Sequence, residues 1–546
     1  MGIPSYFSHI IKSYPSILNN LYSLKKKNTN WNALYMDCNS IIYDCFHRLE
    51  KEKGGLTPEV FQSKLIDEVI ETISHYIQFI SPSELAYIAF DGVAPFAKME
   101  QQRNRRYKTW YMKTIETTGP VENTSSMQTS AFTPGTAFMR ELSDRVSSFF
   151  YQKEAKYSLK KIIVSASNEA GEGEHKMFQY MRDHCSNTDT VAVYGLDSDL
   201  IMLSIFHCYR TKNIYIFREA PEFLKSSIPV TTSFPNEPYF LDIDLLSIQI
   251  LRSMKCENPE TRRIFDYVFL CFFLGNDFLP HFPGFNIRTH GIQTLLDIYG
   301  LYIGKYPGRF LVDLDTSMIQ WKWVHLFVRE LSIIEHELLM DEYNLRDKWS
   351  YQAKKEHLST GGAPVNAEKR AAAIQAIPIL YRASEEYISP QEPYWEERYY
   401  KSLFGKTRND DFVKPLSLNY LQGLEWVFKY YTLGCPDWKW KYHYHYPPLM
   451  KDLALHVPVQ NTVFIQKNTN VAFKPCVQLA YVLPREQLCL LDKSNVAFLL
   501  SHYEELYPSA ISFEWSFCRH FWESHAVLPN ISMNVLDSWD KSLPVS

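Results

Sequence analysis

Apolar positions follow two rhythms along the first 200 residues. Four short runs are apolar and β-rich: "ALYM" (33–36), "LAYIAF" (85–90), "KIIVSAS" (161–167) and "TVAVYGL" (190–196). Short runs bounded by turn residues predict buried strands. Between them the spacing lengthens to the helical period. "EVFQSKLIDEVIETISHYIQFI" separates the first two runs. "TPGTAFMRELSDRVSSFF" separates the second from the third and reads as a capped helix with Pro134 near its start. "GEGEHKMFQYMRDHC" predicts another helix after the third run. Strand–helix alternation of this kind predicts an α/β domain around a parallel sheet.

The texture changes near residue 340. "DEYNLRDKWSYQAKKEHLSTGGAPVNAEKRAAA" is polar and charged, and predicts helix, loop, then helix, with a linker near 355–368. We therefore divide the chain into 1–340, a charged segment over 341–375, and a helical, aromatic-rich block over 376–546. The last block contains "LEWVFKYYTLGCPDWKWKYHYHYPPL" (424–449). No internal repeat or low-complexity tract is visible.

Composition narrows the function classes. The chain has 546 residues, 46% hydrophobic and 22% charged, as in a soluble globular protein. Its formal net charge of −4 means that any footprint for nucleic acid must be local. Aromatics reach 15%, enough to build both cores and stacking surfaces. Ten scattered cysteines without a CxxC pair predict reduced thiols, with no disulfide framework and no structural zinc. The start "MGIPSYFSHIIKSYP" lacks the apolar core of a signal peptide, and Tyr6 breaks the myristoylation pattern. Runs such as "YVFLCFFLG" are too short to span a bilayer, so no membrane is expected.

Acids follow the strand candidates. Asp37 follows the first, Asp91 the second, Glu172 and Glu174 the third, and Asp197 and Asp199 the fourth; Asp277 follows another apolar run. One such Asp is ordinarily a turn former or a helix cap. Repetition at one edge of a parallel sheet, where ligands bind, changes the reading. Asp197 and Asp199 are two apart and would face the same way in extended chain. Seven crowded carboxylates repel and raise one another's pKa, a conflict that divalent cations remove. All-oxygen ligands suit magnesium, with manganese able to substitute, and two such ions clamp a phosphodiester. The residues read as a two-metal phosphodiesterase.

Bases sit beside these acids. After Asp91, "DGVAPFAKMEQQRNRRYK" predicts a helix on which Lys98, Gln102, Arg105 and Arg106 share one stripe, with Arg103 and Lys108 off it. The stripe suits a terminal phosphate; a solvated basic face is the alternative.

With these residues assembled, the chain resembles the Xrn family of 5′→3′ exoribonucleases. The resemblance is carried by "MGIPSYF", "MDCNSIIY" (36–43), "FDGVAPFAKMEQQRNRRY" (90–107), "FTPGTAFM" (132–139), "GEGEHK" (171–176), "YGLDSDLIML" (194–203), "FLCFFLGNDFLPHFP" (269–283), "WEERYY" (395–400) and the "EWVFKYY…GCPDWKWKYHYHYPP" block. It implies a FEN/PIN-like α/β nuclease domain with a parallel-rich sheet, and a second block completing a channel for single-stranded RNA. It implies that Asp37, Asp91, Glu172, Glu174, Asp197, Asp199 and Asp277 hold two Mg2+ ions and catalyse hydrolysis. Lys98, Gln102, Arg105 and Arg106 would bind a 5′-monophosphate. Trp438, in preference to Trp440, would stack on bases. The family's first stacking residue is a His; here it is Tyr43, which can still stack but cannot carry an imidazolium. Ala170 replaces a family Pro. No Cys/His cluster follows "IYIFREAPEF", so the chain reads as closer to the cytoplasmic branch, with a cytoplasmic location and a monomeric state expected. That branch has a long C-terminal extension, which this chain lacks, so docking of partners through one is not expected. A flap-type or 5′→3′ DNA nuclease and a catalytically silent RNA-binding scaffold are the competing readings.

Overall fold

The computed structural model describes residues 2–3, 5–26, 29–51, 57–116, 127–195, 197–211, 213–219, 238–359, 367–466 and 468–544. The four apolar runs form four strands: β2 (Ala33–Asp37), β3 (Leu85–Ala89), β4 (Lys161–Ser165) and β5 (Thr190–Tyr194). With β1 (Leu18–Asn19), β6 (Asn213–Arg218) and β7 (Tyr239–Asp242) they make a seven-stranded sheet in the order β1-β7-β6-β5-β2-β3-β4. The β4-β3-β2-β5-β6 pairings are parallel; β7 and β1 add antiparallel at one edge. Strand order reverses at β2: the chain first builds outward through β3 and β4, then returns to place β5 on the other side. In open α/β sheets that reversal is where ligands bind.

Alternation along the strands builds two cores. Leu34, Met36, Ile88, Ala192 and Tyr194 face α1 (Asn39–Lys51), α2 (Pro58–Ile80) and α4 (Ala137–Phe150). Tyr35, Tyr87, Val191 and Val193 face the other way. Their core runs through α5 (Gly173–His184) and α6 (Asp199–His207) into the helical block, whose α8 (Asp410–Thr432) contributes Trp426 and Phe428. Between β3 and α4 lies α3 (Phe96–Glu116), the expected basic helix. The helix after "TPG" is capped by Thr136, whose hydroxyl accepts the Met139 N–H at 3.3 Å, so Pro134 lies in the turn before the cap.

Two expectations change. The division at residue 340 falls inside α7 (Trp321–Ser359), one continuous 39-residue helix. Among the described residues the sheet ends at Asp242, and the chain beyond it is helical apart from two short ribbons. Within the charged stretch after 340, Glu342 and Arg346 are buried, while Asp341, Asp347, Lys348, Lys354 and Lys355 are exposed. Arg346 is fully buried; its Nε and Nη2 donate to Glu385 at 2.8 and 2.6 Å, and Arg382 Nε joins the same carboxylate at 2.6 Å. Residues 360–366 of the expected linker and the stretch after "IYIFREAPEF", up to 237, lie outside the described residues. All ten cysteines are free, and no described helix is long and apolar enough to cross a membrane.

Candidate active site

The register sets the carboxyl ends of the central strands level: Asp37 pairs with Ala89, Ala89 with Ser165, and Met36 with Tyr194. Each chain segment therefore leaves the sheet at one edge carrying an acid. Asp37 ends β2, and Asp91 follows β3 by two residues. Glu172 and Glu174 stand at the N-terminus of α5, and Asp199 opens α6. Asp277 arrives from the loop after the short helix Phe272–Leu274. Asp199 is helical and Ser198 before it is already in the right-handed helical region. The extended-chain relation expected for Asp197 and Asp199 is therefore absent; the turn into α6 positions them instead.

Crowding and burial dominate the electrostatics. Burial, then Asp91 and Asp197, raise the Asp37 carboxyl well above its ordinary range. Burial, then Asp199 and Glu172, do the same to Glu174. Asp199 is pushed up to about 7 by burial and by Asp277. Asp199 Oδ1 and Glu174 Oε2 are buried with no hydrogen-bond partner. Carboxylates left in that state cost free energy unless protonated or bound to a cation. Gly2 closes over this corner with φ 52°; a Cβ there would come within 2.0 Å of Asp199 Oδ1.

Lys98 belongs to the acids. Its Nζ lies 2.6 Å from Glu172 Oε2 and 2.8 Å from Asp277 Oδ2. Burial works against the ammonium, but Asp277 and Glu172 outweigh it and keep Lys98 charged. Burial would likewise raise Asp277, yet Lys98 holds that carboxyl below its ordinary value. Lys98 thus stands apart from the other three stripe residues. Gln102, Arg105 and Arg106 line a cavity of about 290 Å³ together with Asp37, Asp91 and Asp197. Arg106 donates to Thr129 O at 3.2 Å and to Thr133 Oγ1 at 2.7 Å. Gln102 Oε1 accepts from Gln478 of the helical block at 3.1 Å. Tyr43 lines the same cavity, its ring edge-on to Phe132 at 5.2 Å. Arg103 and Lys108 point elsewhere, donating to Pro529 O and to Trp522 O and Ser524 O.

Trp438 does not line that cavity. It borders another, of about 340 Å³, with His175, Lys176 and Tyr430. Trp440 is packed in the core against Trp426, ring centroids 5.3 Å apart.

Several contributors carry little or no signal in the sequence. Asn39 accepts the Asp91 N–H at 3.1 Å, donates Nδ2 to Asp91 Oδ2, and gives its own N–H to Asp37 Oδ1 at 3.3 Å. The Gly173 N–H donates to Asp91 Oδ1 at 2.7 Å. Tyr430 of α8 donates to Glu172 Oε1 at 2.7 Å. The Tyr430 ring stacks on His175 at 3.6 Å, and His175 offers a ligand atom within 4.8 Å of those of Glu172 and Glu174. Asn39 lies in "MDCNSIIY" and Tyr430 in "EWVFKYY", but neither motif indicates which acid its side chain meets.

Known families match residues of both the sheet and the helical block. Residues 1–220 match the family described as "XRN 5'-3' exonuclease N-terminus". Residues 259–377 and 382–543 match "Xrn1 helical domain". The second match begins well before residue 340, as the helical block does. The chain is 27% identical to the "5'-3' exoribonuclease 2 homolog" of Drosophila melanogaster, over 97% of this chain and 69% of that protein. It is 24% identical to "5'-3' exoribonuclease 1" of Saccharomyces cerevisiae and 25% to that of Schizosaccharomyces pombe. Those alignments cover 96% and 100% of this chain but only 42% and 49% of the yeast proteins.

Proposed function

The chain belongs to the Xrn family of 5′→3′ exonucleases, and from that premise we propose that this exoribonuclease removes nucleotides one at a time from single-stranded RNA bearing a 5′-monophosphate. The observation that carries the finer reading is one cavity shared by Asp37, Asp91 and Asp197 and by Gln102, Arg105 and Arg106. Acids for a metal and bases for a phosphate line that one cavity.

The donor set fits divalent cations. It is all oxygen, mutually repelling and partly without hydrogen-bond partners, the chemistry that magnesium relieves. When bound, two such ions supply a polarised water and charge neutralisation at the leaving oxygen. The protein's own groups do the rest. Asn39 and the Gly173 N–H fix Asp91. Lys98 ties Asp277 to Glu172, and Tyr430 anchors the other Glu172 oxygen. Arg106, held by Thr129 and Thr133, offers a pre-positioned fork to the terminal phosphate, and Arg105 a second. Tyr43 supplies a stacking edge for the first base, and Trp438 a platform further along the strand. Stacking and a fixed phosphate read no sequence, which suits RNA decay.

The test uses matched single-stranded RNAs with 5′-monophosphate, 5′-triphosphate or 5′-hydroxyl ends, and a 5′-monophosphate DNA. Each is incubated with magnesium, with EDTA, and with the Asp197→Ala/Asp199→Ala variant. The reading expects magnesium-dependent mononucleotide release from the monophosphate RNA alone, abolished in the variant. Equal attack on all three RNA ends refutes the phosphate pocket; preference for DNA refutes the substrate class.

A further inference from the structure

Behind the catalytic cavity lies a second chamber of about 250 Å³, on the other face of α3. Gln101, Asn104 and Lys108 line it from α3, while Gln102 and Arg106 line the catalytic cavity. Arg105 lines both, and Asp277 borders the chamber. The far wall comes from the helical block, through Tyr442, Trp522 and Ser524 among others.

Three features give the chamber a chemistry. Gln101 Oε1, Asn276 Nδ2 and Ser524 Oγ are buried without hydrogen-bond partners: an acceptor, a donor and a hydroxyl. Aromatic rings of Phe278, His281, Tyr442 and Trp522 surround these groups. Arg105 makes no side-chain hydrogen bond or ion pair among the described residues, unlike Arg106 and Lys108. Apolar rings with a few unpaired polar groups and a cation at the wall suit a base, a ribose and a phosphate.

We propose that this chamber takes the released nucleoside 5′-monophosphate, and so serves as a product-exit site. The proposal rests on the nuclease reading above. After cleavage the nucleotide stands between the phosphate-binding residues and the incoming strand. Leaving by the entrance would require that strand to retreat. Arg105, on the wall common to both cavities, can follow the phosphate across without breaking another ion pair.

The test is inhibition of RNA hydrolysis by AMP and by inorganic phosphate, with single-turnover and steady-state rates, in the wild type and in Gln101→Leu/Ser524→Ala. The expected result is an unchanged first cleavage, a steady-state rate lowered severalfold, and inhibition by AMP weakened at least fivefold. Inhibition by phosphate, which needs only the catalytic cavity, stays the same. An unchanged AMP inhibition and steady-state rate would overturn the proposal while leaving the nuclease intact. If the double variant fails to fold, Gln101→Leu alone decides by the same criteria. If the wild type cleaves no RNA, the nuclease reading has failed; calorimetric AMP binding, weakened or not by Gln101→Leu, then decides whether the chamber holds a nucleotide.

Discussion

Consider Asn39→Ala. Asn39 is no metal ligand in our assignment, yet it makes three bonds to two of the acids: side-chain donor and acceptor bonds to Asp91, and a backbone bond to Asp37. The substitution deletes the first two and keeps the third. Losing a bond to a charged group costs about 1.5–3 kcal/mol, and an orphaned Asp91 N–H adds about 1–3 kcal/mol. These overlap, so we expect roughly 2–4 kcal/mol off global stability, read by urea unfolding without magnesium. Asp91 keeps the Gly173 N–H at 2.7 Å, so the fold should persist. Metal affinity should fall as well. Partners that orient a ligand are worth about 10–100-fold. The magnesium midpoint for RNA hydrolysis should therefore rise by about that factor, with kcat at saturating magnesium reduced far less. A midpoint and stability both equal to wild type would refute the idea that Asn39 positions Asp91.

Other perturbations probe the remaining parts. Lys98→Met removes the cation between Glu172 and Asp277 and leaves buried carboxylates unpaired, a loss of about 3–5 kcal/mol without metal. Its Tm should rise more on adding magnesium than that of the wild type, and an equal rise refutes the placement. Arg105→Ala should lower kcat/KM for monophosphate RNA roughly 10- to 100-fold and weaken inhibition by inorganic phosphate by a similar factor; unaltered phosphate inhibition contradicts a phosphate role. His281 is held down to about 4, chiefly by burial. The unfolded chain therefore binds a proton near pH 6.5 that the folded one takes only near pH 4, so stability falls as pH drops through that window. His281→Gln should flatten that slope by about 1.4 kcal/mol per pH unit, measured by urea unfolding between about pH 4.5 and 6.5; parallel slopes refute it.

The α/β half was legible because its strands are short apolar runs ending in acids, and periodicity and punctuation carry that information. The acids could be collected at one edge because a parallel sheet fixes which end of every strand they follow. The helical half was less legible. Arg346 and Glu385 look like a solvated charge run, and only the fold reveals that both are buried against each other. The same holds for Lys98. Its helical spacing places it with Gln102, Arg105 and Arg106, but nothing local signals that Glu172 and Asp277 meet its ammonium. Helical periodicity assigns a side chain to a stripe; at the end of the stripe, the neighbouring segments decide its partner.

The helical block does more than roof the sheet. Asp277 precedes α7, Lys98 and Glu172 come from the α/β half, and the Lys98 ammonium bridges the two carboxylates. From α8, Tyr430 donates to the other Glu172 oxygen while its ring lies on His175 and Trp426, with Trp440 stacked beyond. This column links the "DWKW" segment to the carboxylates through packed rings, and rings in a dense core resist displacement. The face of the sheet that carries Tyr35 and Val193 shares one core with Trp426 and Phe428. Removing the helical block would therefore uncover apolar surface and take Tyr430 from Glu172 and Asp277 from Lys98 in the same stroke. That is a physical reason for the site to be assembled from both halves: neither the acids nor the core that holds them is complete in the α/β half alone.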